Sequence, residues 1–159
     1  NYRNSYKMFI SNGILFNHES PRRGINFVTN KVAKEAVKIK LGLSNELRLG
    51  NLNAKRDWGH AKDYVEAQWL ILQQDKPDDY VIGTGEQHSV EEFAQKAFAH
   101  VGLNFKDHII IDKKLIRPAE VDTLLADYKK ARKVLNWKPK ITFDDLVKEM
   151  VENDLQEVK

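Results

Sequence analysis

Short apolar runs rich in β-branched residues alternate along this chain with amphipathic segments of helical period, and nothing else in the sequence constrains its fold as tightly. Residues 10–16, in MFISNGILFN, read as a buried strand. Leu47 and Leu49 form an alternating strand that carries past Gly50 to Leu52, and residues 79–83 (DYVIG) and 108–112 (HIIID) read as further strands. Between them, Val28, Val32 and Ala36 fall at i, i+4 within residues 27–41, and a second helical stretch covers 59–74. Phe93, Ala97 and Val101 mark a third helix that stops at Gly102. Ser89 and Glu92 have capping-box spacing. Thr142, with Asp145 at N3, caps a last helix whose apolar face holds Phe143, Leu146, Val147, Met150 and Val151. Residues 127–135 read as a short basic helix. Strands alternating with helices in this way make an α/β fold with parallel pairing.

Length and composition narrow the function classes. At 159 residues, 42% of them hydrophobic, the chain can bury roughly 70% of its unfolded surface around a real core. The absence of cysteine excludes disulfide frameworks, thiolate zinc sites and cysteine nucleophiles. No apolar run approaches the ~20 residues of a membrane span, so no membrane partner is expected. A net charge of +3 suits anionic ligands but is too small to indicate nucleic acid. Residue 1 is Asn, and NYRNSYKMF reads as a helix running into a strand, so the chain is expected to be part of something larger.

The residues that could carry chemistry gather in the polar segments NHESPRRG, AKRDWGH and KKLIRPAEVD. The five histidines show no metal-binding spacing, and no metal site is expected. The acid pairs Asp78/Asp79, Glu91/Glu92 and Asp144/Asp145 read as helix-start residues. Gly83-Thr84-Gly85 reads as a turn, since no third glycine completes a dinucleotide fingerprint. Arg22 and Arg23 follow a strand, Arg56 precedes a helix and Arg117 precedes a proline. Arginine forks suit phosphate, and three such loops converging would clamp a diphosphate. Spacing alone favours each of them as a solvated surface arginine, and convergence does not follow from sequence. Asn17 and His18 lie beyond the end of the first strand, where open α/β sheets bind ligands; an Asx turn and a satisfied loop histidine are the plain alternatives. Trp58, Trp69 and Trp137 read as packing residues, and Lys31, Lys34 and Lys38 as the wet face of a helix.

In that order, NGILFNHESPRRG, LRLGNLNAKRDWGHAKDYVEAQW, TGEQHSVEEF and RPAEVDTLLAD resemble the GDP-mannose 4,6-dehydratases of the extended short-chain dehydrogenase/reductase family. The resemblance covers nearly the whole chain. It implies the C-terminal part of an NAD(P)-binding Rossmann-type fold interleaved with a small α/β substrate-binding domain, over residues 1–159. It further implies a cytoplasmic, NADP-dependent lyase that converts GDP-mannose to GDP-4-keto-6-deoxy-mannose on the way to GDP-fucose. In the family a tyrosine–lysine pair assists oxidation at C4, a glutamate removes the C5 proton, water leaves from C6 and the hydride returns there. By the same resemblance, His18 and Arg23 look toward NADP, and Asn17, Arg56 and Arg117 toward the GDP diphosphate, with Glu120 nearer the nucleoside.

Neither GxxGxxG nor YxxxK occurs in the 159 residues, so no catalytic residue is assigned here. The chain is expected to need an N-terminal half that carries both, to be inactive alone, and to work as a dimer or tetramer. Another nucleotide-sugar enzyme of the family, an epimerase or a reductase, and a noncatalytic nucleotide-sugar-binding module are the alternative readings.

Overall fold

The computed structural model describes residues 1–116, 119 and 121–158. Helix α1 (Tyr2–Tyr6) leads to strands β1 (Gly13–Leu15) and β2 (Asn17–Glu19), then α2 (Val28–Lys40). Next come β3 (Leu47–Leu49), β4 (Lys55–Arg56), β5 (Trp58–His60) and α3 (Ala61–Leu72). They are followed by β6 (Tyr80–Ile82), β7 (His88–Ser89), α4 (Val90–His100) and β8 (Ile109–Ile111). The chain closes with α5 (Lys129–Leu135) and α6 (Phe143–Glu157). The strands pair two by two across long sequence distances. Three pairs, β1–β6, β2–β5 and β3–β8, are parallel, and β4–β7 is antiparallel. Parallel partners need crossover connections, which α2 to α4 supply.

Two hydrophobic cores result. One gathers α2, α4 and α6 around Val32, Val37, Phe93, Phe98, Leu146 and Met150, with Leu47, Leu49 and Trp58 from the strands. The other joins Tyr64, Ala67 and Ile71 of α3 to Tyr80 and Ile82 of β6 and to Ala131, Leu135 and Trp137. The backbone passes back and forth between them. Asp63 ties this crossing: its Oδ2 accepts from the Lys140 and Ile141 amides at 2.9 and 3.0 Å, and its carbonyl accepts from Trp137 Nε1 at 3.0 Å.

The expected helices are present, with corrections at several ends. Thr142 caps α6 through the Asp145 amide at 3.1 Å. Ser89 likewise accepts from the Glu92 amide at 3.0 Å, but the Glu92 carboxylate goes to His88 Nδ1, also at 3.0 Å. The second helix begins at Ala61 rather than Gly59, because the His60 ring is its cap and accepts from the Lys62 amide at 3.0 Å. Residues 10–16 are not a buried strand. Only Gly13–Leu15 is extended, β6 is its partner among the described residues, and Ile14 is left 55% exposed. Strand β3 stops at Leu49 and does not reach Leu52. Asp78 and Asp79 precede a strand, not a helix, and pair with Lys130 and Arg3 at 2.6 and 2.8 Å. Lys31 and Lys38 are partly buried and engaged, with Arg48 O at 2.6 Å and Glu35 at 3.3 Å. Trp58 and Trp137 are core residues, whereas Trp69 is exposed.

Candidate functional site

Two stretches that read as loops, NHESPRRG and AKRDWGH, contain strands, and these strands build the site. The parallel β2–β5 register sets Asn17 beside Trp58 and Glu19 beside His60. Arg56 stands two residues before Trp58, at the end of β4. In consequence Asn17 and Arg56 line one cleft of about 280 Å³. Its other walls come from Asn26, Phe27 and Val28 at the start of α2, from Leu49, Gly50 and Asn51 after β3, and from Leu115. Asn51 Oδ1 accepts from the Asn53 amide at 2.9 Å, which holds the turn that borders the cleft. Arg56 Nη1 donates to its neighbour's carbonyl, Lys55 O, at 2.8 Å. An arginine and several asparagines over an apolar floor of Leu49, Trp58 and Val90 suit a ligand that has both a charged and a planar part.

Arg117 and Glu120 lie outside the described residues. The ends of their segment are placed, however. Leu115 packs so closely on Gly50 that a Cβ there would lie 2.7 Å from the Leu115 carbonyl oxygen. On the far side, the Lys55 amide donates to Asp122 O at 2.8 Å and the Leu124 amide donates to Lys55 O at 3.1 Å. The segment therefore leaves from one wall of the cleft and returns on the strand that carries Arg56.

His18 and Arg23 line a second cleft of about 310 Å³, with Ile14, Leu15, Phe16 and Leu124; Asn17 borders both clefts. His18 Nδ1 lies 2.9 Å from Phe16 O, and a carbonyl can only accept, so this nitrogen holds the proton. In the neutral ring Nε2 is then free to accept. The ring also rests on Tyr64 at 5.2 Å. Arg23 is 19% exposed, with Nε 3.2 Å from Glu19 Oε2 and its guanidinium 3.5 Å above the Phe27 ring. Glu19 is buried and receives the Thr29 hydroxyl at 2.5 Å. Burial pushes its carboxyl pKa up, opposed by Thr29 and Arg23. Arg22 points to solvent and takes no part in either cleft.

Asp57 escaped the sequence reading. It is fully buried between β4 and β5, and among the described residues its carboxylate accepts four hydrogen bonds. Thr84 N and Thr84 Oγ1 reach Oδ1 at 2.8 and 2.7 Å, and Gly85 N and Ala126 N reach Oδ2 at 2.9 and 3.1 Å. The Gly83-Thr84-Gly85 turn is thus shaped around a protein carboxylate, with Gly85 at φ +75°. The only signal in the sequence was an aspartate wedged between an arginine and a tryptophan, which does not reveal burial. Glu19 was missed for the same reason.

Comparisons with known proteins bear on this geometry. RMD from Pseudomonas aeruginosa, solved with NADPH, superposes with a TM-score of 0.90 at 20% identity, over 98% of this chain and 52% of that one. A dTDP-glucose 4,6-dehydratase from Bacillus anthracis, solved with NAD, gives 0.81 at 21% identity, over 96% of this chain and 46% of that one. At these identities the match is one of fold, and the fold is that of the NAD(P)-binding extended short-chain dehydrogenases/reductases. In sequence, GDP-mannose 4,6 dehydratase 1 of Arabidopsis thaliana is 58% identical over 159 residues, all of this chain and 44% of that protein. GDP-mannose 4,6 dehydratase of Homo sapiens is 53% identical over 173 residues, 98% of this chain and 46% of that protein. The chain spans less than half the length of these curated relatives. The sequence model described as GDP-mannose 4,6 dehydratase matches residues 1–150, and the chain belongs to that family.

Proposed function

We infer that this chain supplies the nucleotide-sugar-binding portion of a GDP-mannose 4,6-dehydratase. The observation that carries the reading is the meeting of Asn17 and Arg56 in one cleft, at the point where the segment bearing Arg117 and Glu120 departs. Arg56 and Arg117 hold the diphosphate, Asn17 donates to it, and Glu120 faces the nucleoside. The second cleft is the edge of the NADP site, with His18 packing on the cofactor through its outer ring face and Arg23 turned toward it. His18 and Arg23 would help to hold NADP, which would supply a reversible hydride acceptor for the sugar. The residues of this chain orient the two ligands and keep them side by side, because Asn17 borders both clefts.

The tyrosine–lysine pair for proton transfer is not among these 159 residues. In this reading it lies in an N-terminal half that packs against the core formed by α3, β1, β6 and α5, the end of the cofactor domain. The core formed by α2, α4 and α6 is the substrate domain. The reading includes NADP rather than NAD, a cytoplasmic homo-oligomer, and a product that feeds GDP-fucose synthesis. Titration of GDP-mannose into the complete protein tests it. Arg56→Ala and Arg117→Ala should each weaken binding by ~1.5–3 kcal/mol, the scale of a charged hydrogen bond, or about 10- to 150-fold. Unchanged affinity in both overturns the clamp, and turnover of a UDP-sugar in place of GDP-mannose overturns the substrate.

A further inference from the structure

We propose that Asp57 is the positioning residue of the diphosphate clamp; the proposal rests on the nucleotide-sugar reading of the Arg56 cleft. Asp57 lines neither cleft and is inaccessible to solvent, so it touches no ligand. It is bonded instead to the pieces of chain that set where Arg56 stands. Thr84 and Gly85 belong to the turn that leads into β7, the strand paired with Arg56 itself. Ala126 ends the stretch that returns from Arg117 and Glu120. That stretch is gripped on both sides of Arg56. The Lys55 backbone holds Asp122 and Leu124, and the Asp57 carboxylate holds Ala126. The Arg56 guanidinium reaches the first of these grips, with Nη1 2.8 Å from Lys55 O and 3.5 Å from Asp122 O.

Only a carboxylate fits this role. All four partners are donors, and a carboxylate offers acceptors alone. An amide of the same shape turns its NH2 toward at least one backbone N–H in either orientation. A longer side chain has no room, since a Cβ on Gly83 would already lie 3.1 Å from Asp57 Oδ2 and 2.2 Å from the Ala126 Cβ. Asp57 thus couples the position of Arg56 to that of the stretch from Asp122 to Ala126.

The test is a double-mutant cycle on the complete enzyme, with GDP as the probe and KM for GDP-mannose, kcat and melting temperature measured in parallel. Arg56→Ala alone should weaken GDP binding at least tenfold. Asp57→Asn should weaken it to a similar extent, and the double variant should be no worse than Arg56→Ala. Thr84→Val removes one of the four bonds. It should raise the GDP dissociation constant and KM several-fold while kcat and melting temperature stay near wild type. Additive losses in the double variant, or Asp57→Asn that lowers the melting temperature while its folded fraction binds GDP normally, overturn the positioning role and leave the clamp standing. Unchanged GDP affinity in Arg56→Ala removes the clamp, and this proposal with it.

Discussion

Asp154 sits on α6 against α2, 3% exposed, with Lys34 as the nearby cation and Glu157 as a nearby like charge. Burial pushes its pKa from 3.8 up to about 6, because water no longer solvates the charged form. The folded chain therefore keeps this proton at pH values where the unfolded chain has lost it. Stability from this group is full below about pH 4 and is lost as pH rises through about 6. Asp154→Asn should stabilise the protein by up to about 3 kcal/mol at pH 8 and leave it unchanged at pH 4, by urea melts at each pH. An equal effect at both would show that the charge is not the cause. At the same scale, His18→Ala should weaken NADP binding more than GDP binding, read by titrating each ligand into the complete protein. The reverse order would place the His18 cleft on the substrate side. Asn17 and His18 stood out after a strand, and Arg56 before a helix, because they lie in polar segments that read as loops. Asp57 and Glu19 were not, because burial is decided by what packs around a residue, and their donors lie 27 to 69 and 10 positions away.

Helices were the most legible elements, since an amphipathic period recurs over many residues and survives local exceptions. The strands of the site were not. β2, β4, β5 and β7 are two or three residues each, with polar side chains such as Asn17, His18, Lys55, Arg56 and His88. They hold their shape through a partner elsewhere in the chain, not through their own alternation. Caps occupy a middle ground. Ser89 and Thr142 follow the expected chemistry, while His60 caps α3 with a ring nitrogen that no common capping pattern anticipates. Ser89→Ala should cost about 1 kcal/mol in stability and shorten α4 at its first turn, visible as faster amide exchange at Glu92. Gly85→Ala should cost more than Ser89→Ala. Its φ of +75° disfavours any side chain, and a Cβ there would lie 2.9 Å from the Tyr128 ring.

Across the whole molecule, the two cores are built by one chain that visits each of them repeatedly: Tyr64 to Ile82 in one, Val90 to Phe105 in the other, Ala131 to Trp137 in the first again, and Phe143 to Val151 in the second. The Asp63 bonds to Trp137, Lys140 and Ile141 join the two, so they should unfold together. Trp58 lies in one core and Trp137 in the other, both 2% exposed. On the unaltered chain, tryptophan fluorescence and far-UV dichroism should report the same urea midpoint, and two separated midpoints would show independent folding units. What the sequence determined by itself was the class of fold, the helices and the polar segments rich in candidate ligands, because those follow from local periodicity and residue chemistry. The tertiary structure alone decided that Asn17 and Arg56 face one cleft and His18 and Arg23 the next. It also decided that Asp57 is buried among donors from Thr84, Gly85 and Ala126, since these relations arise from pairing and hydrogen bonds between segments tens of residues apart, which no local pattern encodes.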